Sequence, residues 1–329
     1  MQIRVQTPAK INLVLEILKK REDGFHEIQS IMQAVSLYDY LDIRVENTKK
    51  SLSTLPGQTG VAETSNNIIP NENENYNPIQ NIIELSGNSD QIPYDKTNLV
   101  YKAADLFLKK ANLTGFKIKI HIEKNIPVAA GLAGGSSNAA GTLWGLNRIF
   151  ENILSSSQIH ELASQMGSDL NFCLEGGTQV TTSRGEILLR IPTPDLNIVI
   201  IKPKNLFISA KEAYTKWDFI ATNRTVIPCN QRERENPSGI DNWIDSHVSP
   251  SGFLRMTELL KNHLEDAILP DYPEIKEIKD YLIQKGCKNA LMSGSGPSVF
   301  GIYEGELDLS DAKPDWECFK VKTIDFGIK

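Results

Sequence analysis

The feature that most constrains this chain is a glycine-rich stretch, residues 124–141, between a predicted strand and a predicted helix. Apolar and polar residues alternate over 116–123, which predicts a half-buried strand. Apolar residues then recur at helical spacing as far as Phe150. The sequence therefore predicts a strand, a tight turn and a helix, in that order.

The turn has the composition of a phosphate-binding loop. Gly131, Gly134 and Gly135 allow positive φ and leave the backbone open to a ligand. Ser136 and Ser137 are expected to cap the following helix, whose N-terminus offers unpaired N–H groups to an anion. The stretch lacks the Gly-Lys-Ser/Thr of a P-loop and the acidic residue about 20 positions on that supports a dinucleotide fingerprint. Tight helix–strand packing is the alternative, but paired glycines before paired serines favour the phosphate.

Composition excludes several classes of function. With 329 residues, 40% hydrophobic and 23% charged, the chain is long enough for two domains of an ordinary globular protein. Its net charge of -6 argues against a general nucleic-acid binder. No apolar run approaches a membrane span and the N-terminal segment lacks a signal-peptide core, so a cytoplasmic location is expected. The four cysteines are far apart, which suggests free thiols rather than disulfides or zinc ligands.

Strand and helix patterns are interleaved along the chain. Strands are predicted at 3–6, 10–17, 42–46, 197–202 and 299–303, helices at 97–110, 157–165, 210–217 and 272–285, and a hairpin at 179–191. Polar insertions are expected at about 47–90, with a short strand at 81–85, and at about 221–250. We expect two α+β domains, 1–165 and 166–329, with a cleft between them. Both glycine-rich turns, at 131–137 and 293–298, would face that cleft.

Three segments together carry a resemblance to a known family. They are 8–13 with 21–26, then 126–137, then 291–298. In order and spacing they resemble the three motifs of the GHMP small-molecule kinases (galactokinase, homoserine, mevalonate and phosphomevalonate kinases). The first segment further resembles the branch that phosphorylates a cytidine-diphosphate-linked sugar alcohol in non-mevalonate isoprenoid synthesis.

The resemblance implies a fold, an activity and ligands. The fold would be α+β, with a ribosomal-protein-S5-like N-terminal ATP-binding domain and a ferredoxin-like C-terminal domain. The activity would be ATP-dependent phosphorylation of a hydroxyl group, and ATP chemistry implies Mg²⁺. No Asp/Glu cluster in the sequence indicates a dedicated metal site. The partners would be ATP and the small-molecule substrate, with no nucleic acid or membrane and with the oligomeric state open.

The resemblance also assigns the ATP-binding and catalytic residues. Asp169 matches the catalytic aspartate, which takes the proton of an alcohol that is otherwise a poor nucleophile. Lys10 matches its partner lysine and would offset charge on the transferred group. From local sequence alone, Asp169 would be a helix-end cap and Lys10 a solvated strand residue. The ATP-binding set comprises Pro127, Ala130, Gly131, Leu132, Ala133, Gly134, Gly135, Ser136 and Ser137, with Asn98 and Lys102 flanking the nucleotide base.

The expected substrate-binding residues are Asn12, Phe25, His26 and Tyr214. Phe25 and Tyr214 would stack on the cytosine, and the turn that contains His26 would read the edge of the base. Tyr214 has an alternative role as a core residue of an amphipathic helix. Some positions depart from the family pattern: Phe25 replaces the more usual Tyr, and Ala133 replaces a glycine and should therefore avoid strongly positive φ. Asn171, Ala210 and His263 also depart, where Pro, Thr and Asp are usual.

Two other functions are compatible with the family motifs. The first is a mevalonate- or homoserine-type GHMP kinase, but the aromatic–His pair at 25–26 argues against substrates that carry no base. The second is a non-catalytic nucleotide-binding relative, against which the presence of Lys10 and Asp169 argues.

Overall fold

The computed structural model describes residues 1–48, 80–223 and 260–329. Most of the two predicted insertions, and Cys229, lie outside the described residues. The strands are β1 (Gln2–Lys20), β2 (His26–Asn47), β3 (Ile82–Gly87), β4 (Phe116–Glu123), β5 (Thr178–Thr182), β6 (Ile187–Ile191), β7 (Asn197–Pro203), β8 (Lys261–Asn262), β9 (Asn289–Met292), β10 (Val299–Tyr303) and β11 (Trp316–Lys322). The helices are α1 (Leu99–Lys110), α2 (Gly134–Ile149), α3 (Ser156–Met166), α4 (Asp169–Glu175), α5 (Ala210–Asn223), α6 (Glu265–Ile268) and α7 (Pro273–Gln284).

Two sheets organise these elements. The larger sheet has the order β3-β4-β2-β1-β8, and the β5–β6 hairpin joins it through β2. Because β2 is long, it pairs with β4 near its end and with β5 near its start. The smaller sheet is β11-β7-β10-β9 and is antiparallel throughout. Strands from both predicted domains therefore share the larger sheet, and the division at residue 165 stays a prediction.

Most sequence-predicted elements are present, with three corrections. The two strands predicted at 3–6 and 10–17 are one strand, β1, because a register shift between Pro8 and Ala9 absorbs the break. The helix predicted at 157–165 is capped by Ser155, whose hydroxyl accepts from the Gln158 N–H, and not by Ser157. The helix predicted to end at 217 continues to Asn223. The short strand allowed at 81–85 is β3.

Small residues let α2 lie directly on the larger sheet. A Cβ on Gly145 would lie 2.7 Å from Ile43 and 2.8 Å from Val5, and one on Gly141 would lie 3.2 Å from Leu41. Such close packing explains these two glycines without a ligand. It also fixes the N-terminus of α2 beside β1, where the site is built.

The described ranges contain no helix that combines the length and apolarity required to span a membrane. Among the cysteines, Cys173 and Cys287 are buried free thiols, and Cys318 is an exposed one.

Candidate active site

A cavity of about 640 Å³ lies where the two glycine-rich turns meet. The Ser293 hydroxyl donates a 3.0 Å hydrogen bond to the Gly131 carbonyl, which joins the turns directly. Gly131 has φ +73°, and a Cβ on it would collide with the Ser293 carbonyl. Gly294 has φ +55°, and a Cβ on it would lie 3.5 Å from Lys10 Nζ. The prediction that both turns face one cleft is confirmed.

Lys10 and Asp169 meet at the floor of this cavity. Lys10, on β1, is only 5% exposed, and its Nζ lies 3.8 Å from Oδ2 of Asp169 at the start of α4. The ammonium group donates to Asn12 Oδ1 at 2.5 Å. Asn12 Nδ2 in turn donates to Ser30 Oγ at 2.8 Å. Lys10 is thus a buried, oriented cation and not a solvated strand lysine.

The carboxylate of Asp169 remains accessible, with 31% of its side chain exposed. Burial, and then the negative charge of Asp169, raise the pKa of the Tyr214 hydroxyl. The same two causes, in that order, raise the pKa of the Cys173 thiol. Both groups therefore stay protonated near neutral pH and do not compete with Asp169 as proton acceptors.

The glycine turn differs in detail from the sequence-based expectation. Ala133 adopts φ +55°, so the prediction that it avoids positive φ is wrong; as the N-cap of α2 it takes the left-handed conformation that ends the turn. Gly134 is helical, and a Cβ on it would lie 2.9 Å from Lys124 Nζ, so its small size serves packing. The N-cap residue of α2 is Ala133, which makes no side-chain cap, and Ser136 and Ser137 lie inside the first turn, so the capping role expected of them is wrong.

The N-terminus of α2 still has open donors. The Ser137 N–H makes a helical bond to the Ala133 carbonyl, so the N–H groups of Gly134, Gly135 and Ser136 precede that bond. Gly135 is exposed and Ser136 lines the cavity. The Ser137 hydroxyl is buried and donates to the Pro8 carbonyl at 2.7 Å. The backbone of Gly135 and the Ser136 residue, and not the Ser137 hydroxyl, are therefore accessible at this end of α2.

The remaining residues of the expected ATP set are not among those that line the cavity. Ala130 and Leu132 are buried in the core, and the Leu132 carbonyl accepts from the Lys10 N–H at 3.1 Å. Asn98 caps α1 by accepting from the Val100 N–H at 2.9 Å. The exposed Lys102 follows on α1, and the half-buried Pro127 precedes the turn.

One buried acid anchors the start of the glycine-rich stretch, and the sequence reasoning missed it. Asp39, on β2, accepts from the N–H groups of Asn125 and Ile126, each at 2.7 Å. It also pairs with Lys124 Nζ at 2.7 Å, with both side chains buried. Burial lowers the pKa of the Lys124 ammonium. The sequence feature that could have revealed Asp39 is the presence of an acidic residue within the largely apolar stretch 28–41.

Three aromatic residues, Phe25, His26 and Tyr214, also line the cavity. His26 and Tyr214 are stacked, with ring centroids 4.8 Å apart and planes inclined by 23°. Phe25 is exposed, and the Arg184 guanidinium lies 5.0 Å from the centre of its ring. One face of Tyr214 is therefore occupied by His26, so a base could stack only on its other face.

Further cavity residues were not predicted. Asp218 Oδ1 lies 2.7 Å from His26 Nε2, and Lys20 Nζ donates to Asp218 Oδ2 at 2.5 Å. Burial opposes ionisation of Asp218, but the hydrogen bonds from Lys20 and His26 outweigh it and lower its pKa. Arg184 sits in the predicted hairpin turn, but nothing local in the sequence places it over Phe25. Asp218 was missed because the helix was predicted to end one residue before it.

Comparisons with known proteins identify relatives over nearly the whole chain. The GHMP kinases N terminal domain matches residues 98–177, and the GHMP kinases C terminal domain matches 253–321. The 4-diphosphocytidyl-2-C-methyl-D-erythritol kinase of Geobacillus thermodenitrificans is 36% identical, over 92% of this chain and 89% of that protein. The enzyme of the same name from Caldanaerobacter subterraneus subsp. tengcongensis is 34% identical, over 100% and 99%. A crystal structure of 4-(cytidine 5'-diphospho)-2C-methyl-D-erythritol kinase superposes with a TM-score of 0.67 at 25% identity, covering 98% of this chain and 99% of that one.

Proposed function

Because the chain belongs to the 4-diphosphocytidyl-2-C-methyl-D-erythritol kinases of the GHMP family, we propose that the cavity between its glycine-rich turns performs the phosphoryl transfer. The enzyme is an ATP-dependent small-molecule kinase of non-mevalonate isoprenoid synthesis, and the acceptor is the 2-hydroxyl group of the substrate. Asp169 is the base and Lys10 its partner.

The pairing of Lys10 with Asp169 inside the cavity carries this proposal. The substrate hydroxyl loses its proton to the Asp169 carboxylate as its oxygen bonds to the γ-phosphorus. As this bond forms, the bond between the γ-phosphorus and the oxygen of the ADP leaving group breaks. Lys10, held by Asn12, offsets negative charge on the transferred group without having to reorient.

ATP fits the open donors at the N-terminus of α2. The N–H groups of Gly134, Gly135 and Ser136 and the positive end of the helix dipole favour its phosphates. Asn98 and Lys102 would flank the nucleotide base from the start of α1. In the ranges that the structure covers, no group of three or more His, Cys, Asp or Glu could hold a metal ion. We propose that Mg²⁺ would be held mainly by the phosphates of ATP and by water, and would supply positive charge to the β- and γ-phosphates.

The cytidine portion of the substrate would bind beside the aromatic residues that line the cavity. Phe25 offers an exposed ring face, and a base stacked on an aromatic side chain gains about 1–3 kcal/mol. His26 offers a polar ring edge, and Tyr214 lies behind it. Mevalonate and homoserine carry no base that could use these groups.

The test is ADP release by the purified protein with Mg-ATP and one acceptor at a time. The acceptors are 4-diphosphocytidyl-2-C-methyl-D-erythritol, mevalonate and homoserine. We expect turnover with the cytidyl substrate alone. Turnover with either other alcohol would discard the roles of Phe25, His26 and Tyr214. Absence of ADP release with all three would favour the non-catalytic relative.

A further inference from the structure

We infer that Asp218 is a positioning residue: it fixes the tautomer of His26, which lines the cavity, so that Nδ1 is a hydrogen-bond acceptor, and the site thereby selects cytosine over uracil. The inference rests on the proposed function, because it takes this cavity as the place where the cytidine diphosphate portion binds. Asp218 itself acts through His26 and need not touch the base.

The His26 ring is held on one edge and on one face. Its Nε2 lies 2.7 Å from Asp218 Oδ1, and Tyr214 stacks against it with centroids 4.8 Å apart. Lys20 donates to the second carboxylate oxygen of Asp218 at 2.5 Å, which orients that carboxylate and offsets its charge. All four side chains line the same cavity. The ring therefore has little freedom to turn over.

This arrangement determines which nitrogen of His26 carries the proton. An ionised carboxylate only accepts hydrogen bonds, so Nε2 must donate to Asp218. In a neutral imidazole the other nitrogen, Nδ1, is then an acceptor. Within the described part of the chain, no group forms a hydrogen bond with Nδ1. Nδ1 is thus available to accept a hydrogen bond from a ligand.

Cytosine and uracil differ in the group that would meet such an acceptor. Cytosine carries an exocyclic amino group, which donates, where uracil carries a carbonyl oxygen, which accepts. An acceptor at Nδ1 pairs with the amino group and repels the carbonyl. A site that is built to hydrogen-bond one group rejects an analogue that lacks it far more strongly than an apolar pocket could.

Asparagine at position 218 would keep the shape of the aspartate side chain but change its hydrogen bonds to Lys20 and His26. The amide has one acceptor oxygen for two donors, Lys20 and His26. The Lys20 ammonium, which can only donate, would take that oxygen and turn the amide N–H₂ toward Nε2. Nε2 would then have to accept, so the His26 proton would move to Nδ1 and favour a carbonyl over an amino group.

The experiment compares the binding of CDP and UDP by calorimetry at about pH 8, where imidazole is ordinarily neutral. We expect the wild-type protein to prefer CDP by about tenfold or more, and Asp218→Asn to reduce that preference to about threefold or less. Asp271→Asn is the matched control, because Asp271 also anchors α5, through Lys216 at 2.6 Å, but lies outside the cavity. Asp271→Asn should keep the wild-type preference for CDP. That result would show that the loss at Asp218→Asn does not come from a general weakening of the contacts of α5.

Two results would overturn the inference: a wild-type protein that binds UDP as tightly as CDP or binds neither, and an Asp218→Asn protein that keeps the full preference. Kinetics with the cytidyl substrate add a second readout, since a positioning role raises KM at Asp218→Asn and leaves kcat within about threefold. Preference for CDP without any turnover would contradict the proposed function and leave the inference standing. Turnover without a preference for CDP would support the proposed function and contradict the inference.

Discussion

The ammonium group of Lys10 and the carboxylate of Asp169 lie 3.8 Å apart, although one belongs to the long first strand and the other to a short helix of the second half of the chain. Lys10 reaches this position because Asn12 and Ser30 form a buried chain of hydrogen bonds beneath it. Asp169 reaches it because it is the first residue of α4 and lines the same cavity. The cavity that both groups line extends to Ser136, in the first turn of α2.

Removal of the Lys10 cation should impair catalysis more than folding. Lys10→Met keeps much of the buried aliphatic side chain but loses charge next to the transferred group, so we expect kcat to fall by about 10²–10³-fold. Steady-state ADP release measures it. Lys19→Met, at an exposed position on the same strand, is the control and should keep wild-type activity. Equal kcat values for the two variants would contradict the role of Lys10.

Ala133→Gly should stabilise the protein. Ala133 adopts φ +55°, a left-handed conformation that costs a residue with a Cβ about 1–2 kcal/mol. Glycine removes that strain and loses part of the gain to chain entropy, so the free energy of unfolding should rise by about 0.5–1 kcal/mol. Urea denaturation measures the change. Ala139→Gly, inside α2, should instead lower stability, and a loss at both positions would show that Ala133 is not strained.

We predict that substitutions at Asp39 and Lys124, which form a buried pair, have strongly coupled effects on the free energy of unfolding. Asp39→Ala leaves Lys124 buried without its partner and two N–H groups without an acceptor, so we expect a loss of about 3–5 kcal/mol. Lys124→Met added to Asp39→Ala removes the unpaired charge, so the double variant should lose less than the sum of the two single variants. Urea denaturation of all four proteins gives the coupling energy. Additive losses would mean that the pair contributes no mutual stabilisation.

We expect the protonation of His263 to account for part of the pH dependence of stability. It is stacked on Trp217, and its Nδ1 accepts from the Ile17 N–H at 3.0 Å. Burial lowers the pKa of His263 below its ordinary 6.5. The unfolded chain therefore binds this proton more readily than the folded chain. The contribution of His263 is constant above about pH 6.5, and stability falls as the pH drops below it.

The variant His263→Asn should reduce that pH dependence. Its Oδ1 can accept the bond from the Ile17 N–H in place of Nδ1, and the side chain does not titrate. We expect the free energy of unfolding to fall less between about pH 7 and pH 5 than in the wild-type protein. Parallel pH profiles for the two proteins would mean that His263 does not take part in the acid response.

Local signals in the sequence predicted much of the fold. Alternation over 116–123 and helical spacing over 139–150 correctly predicted β4 and α2, although α2 begins earlier, at Gly134. The single strand β1 was divided in two, because Pro8 interrupts a pattern that pairing with β2 holds together. Helix α5 was predicted too short, because its last six residues, which include Phe219 and Ile220, were left out of the predicted helix.

The site was predictable only in part, because much of it depends on contacts between distant segments. Lys10 and Asp169 were found through the resemblance and not from local pattern, which favoured a solvated lysine and a helix cap. The conformation of Ala133 depends on how the turn enters α2, where Ala133 is the N-cap, and residue spacing does not specify this. The partners of Asp39 and Asp218 become visible only after folding, since no spacing rule links them to Lys124 or His26.

The most direct test of the proposed mechanism is single-turnover phosphoryl transfer by Asp169→Asn, with Mg-ATP and the cytidyl substrate. Asparagine keeps the shape of the side chain but cannot take the proton of the hydroxyl. We expect the rate of transfer to fall by about 10²–10⁴-fold, while the affinity for CDP and the thermal stability stay within the range of an Asp271→Asn control. A rate of transfer equal to that of the wild-type protein would contradict the assignment of Asp169 as the base.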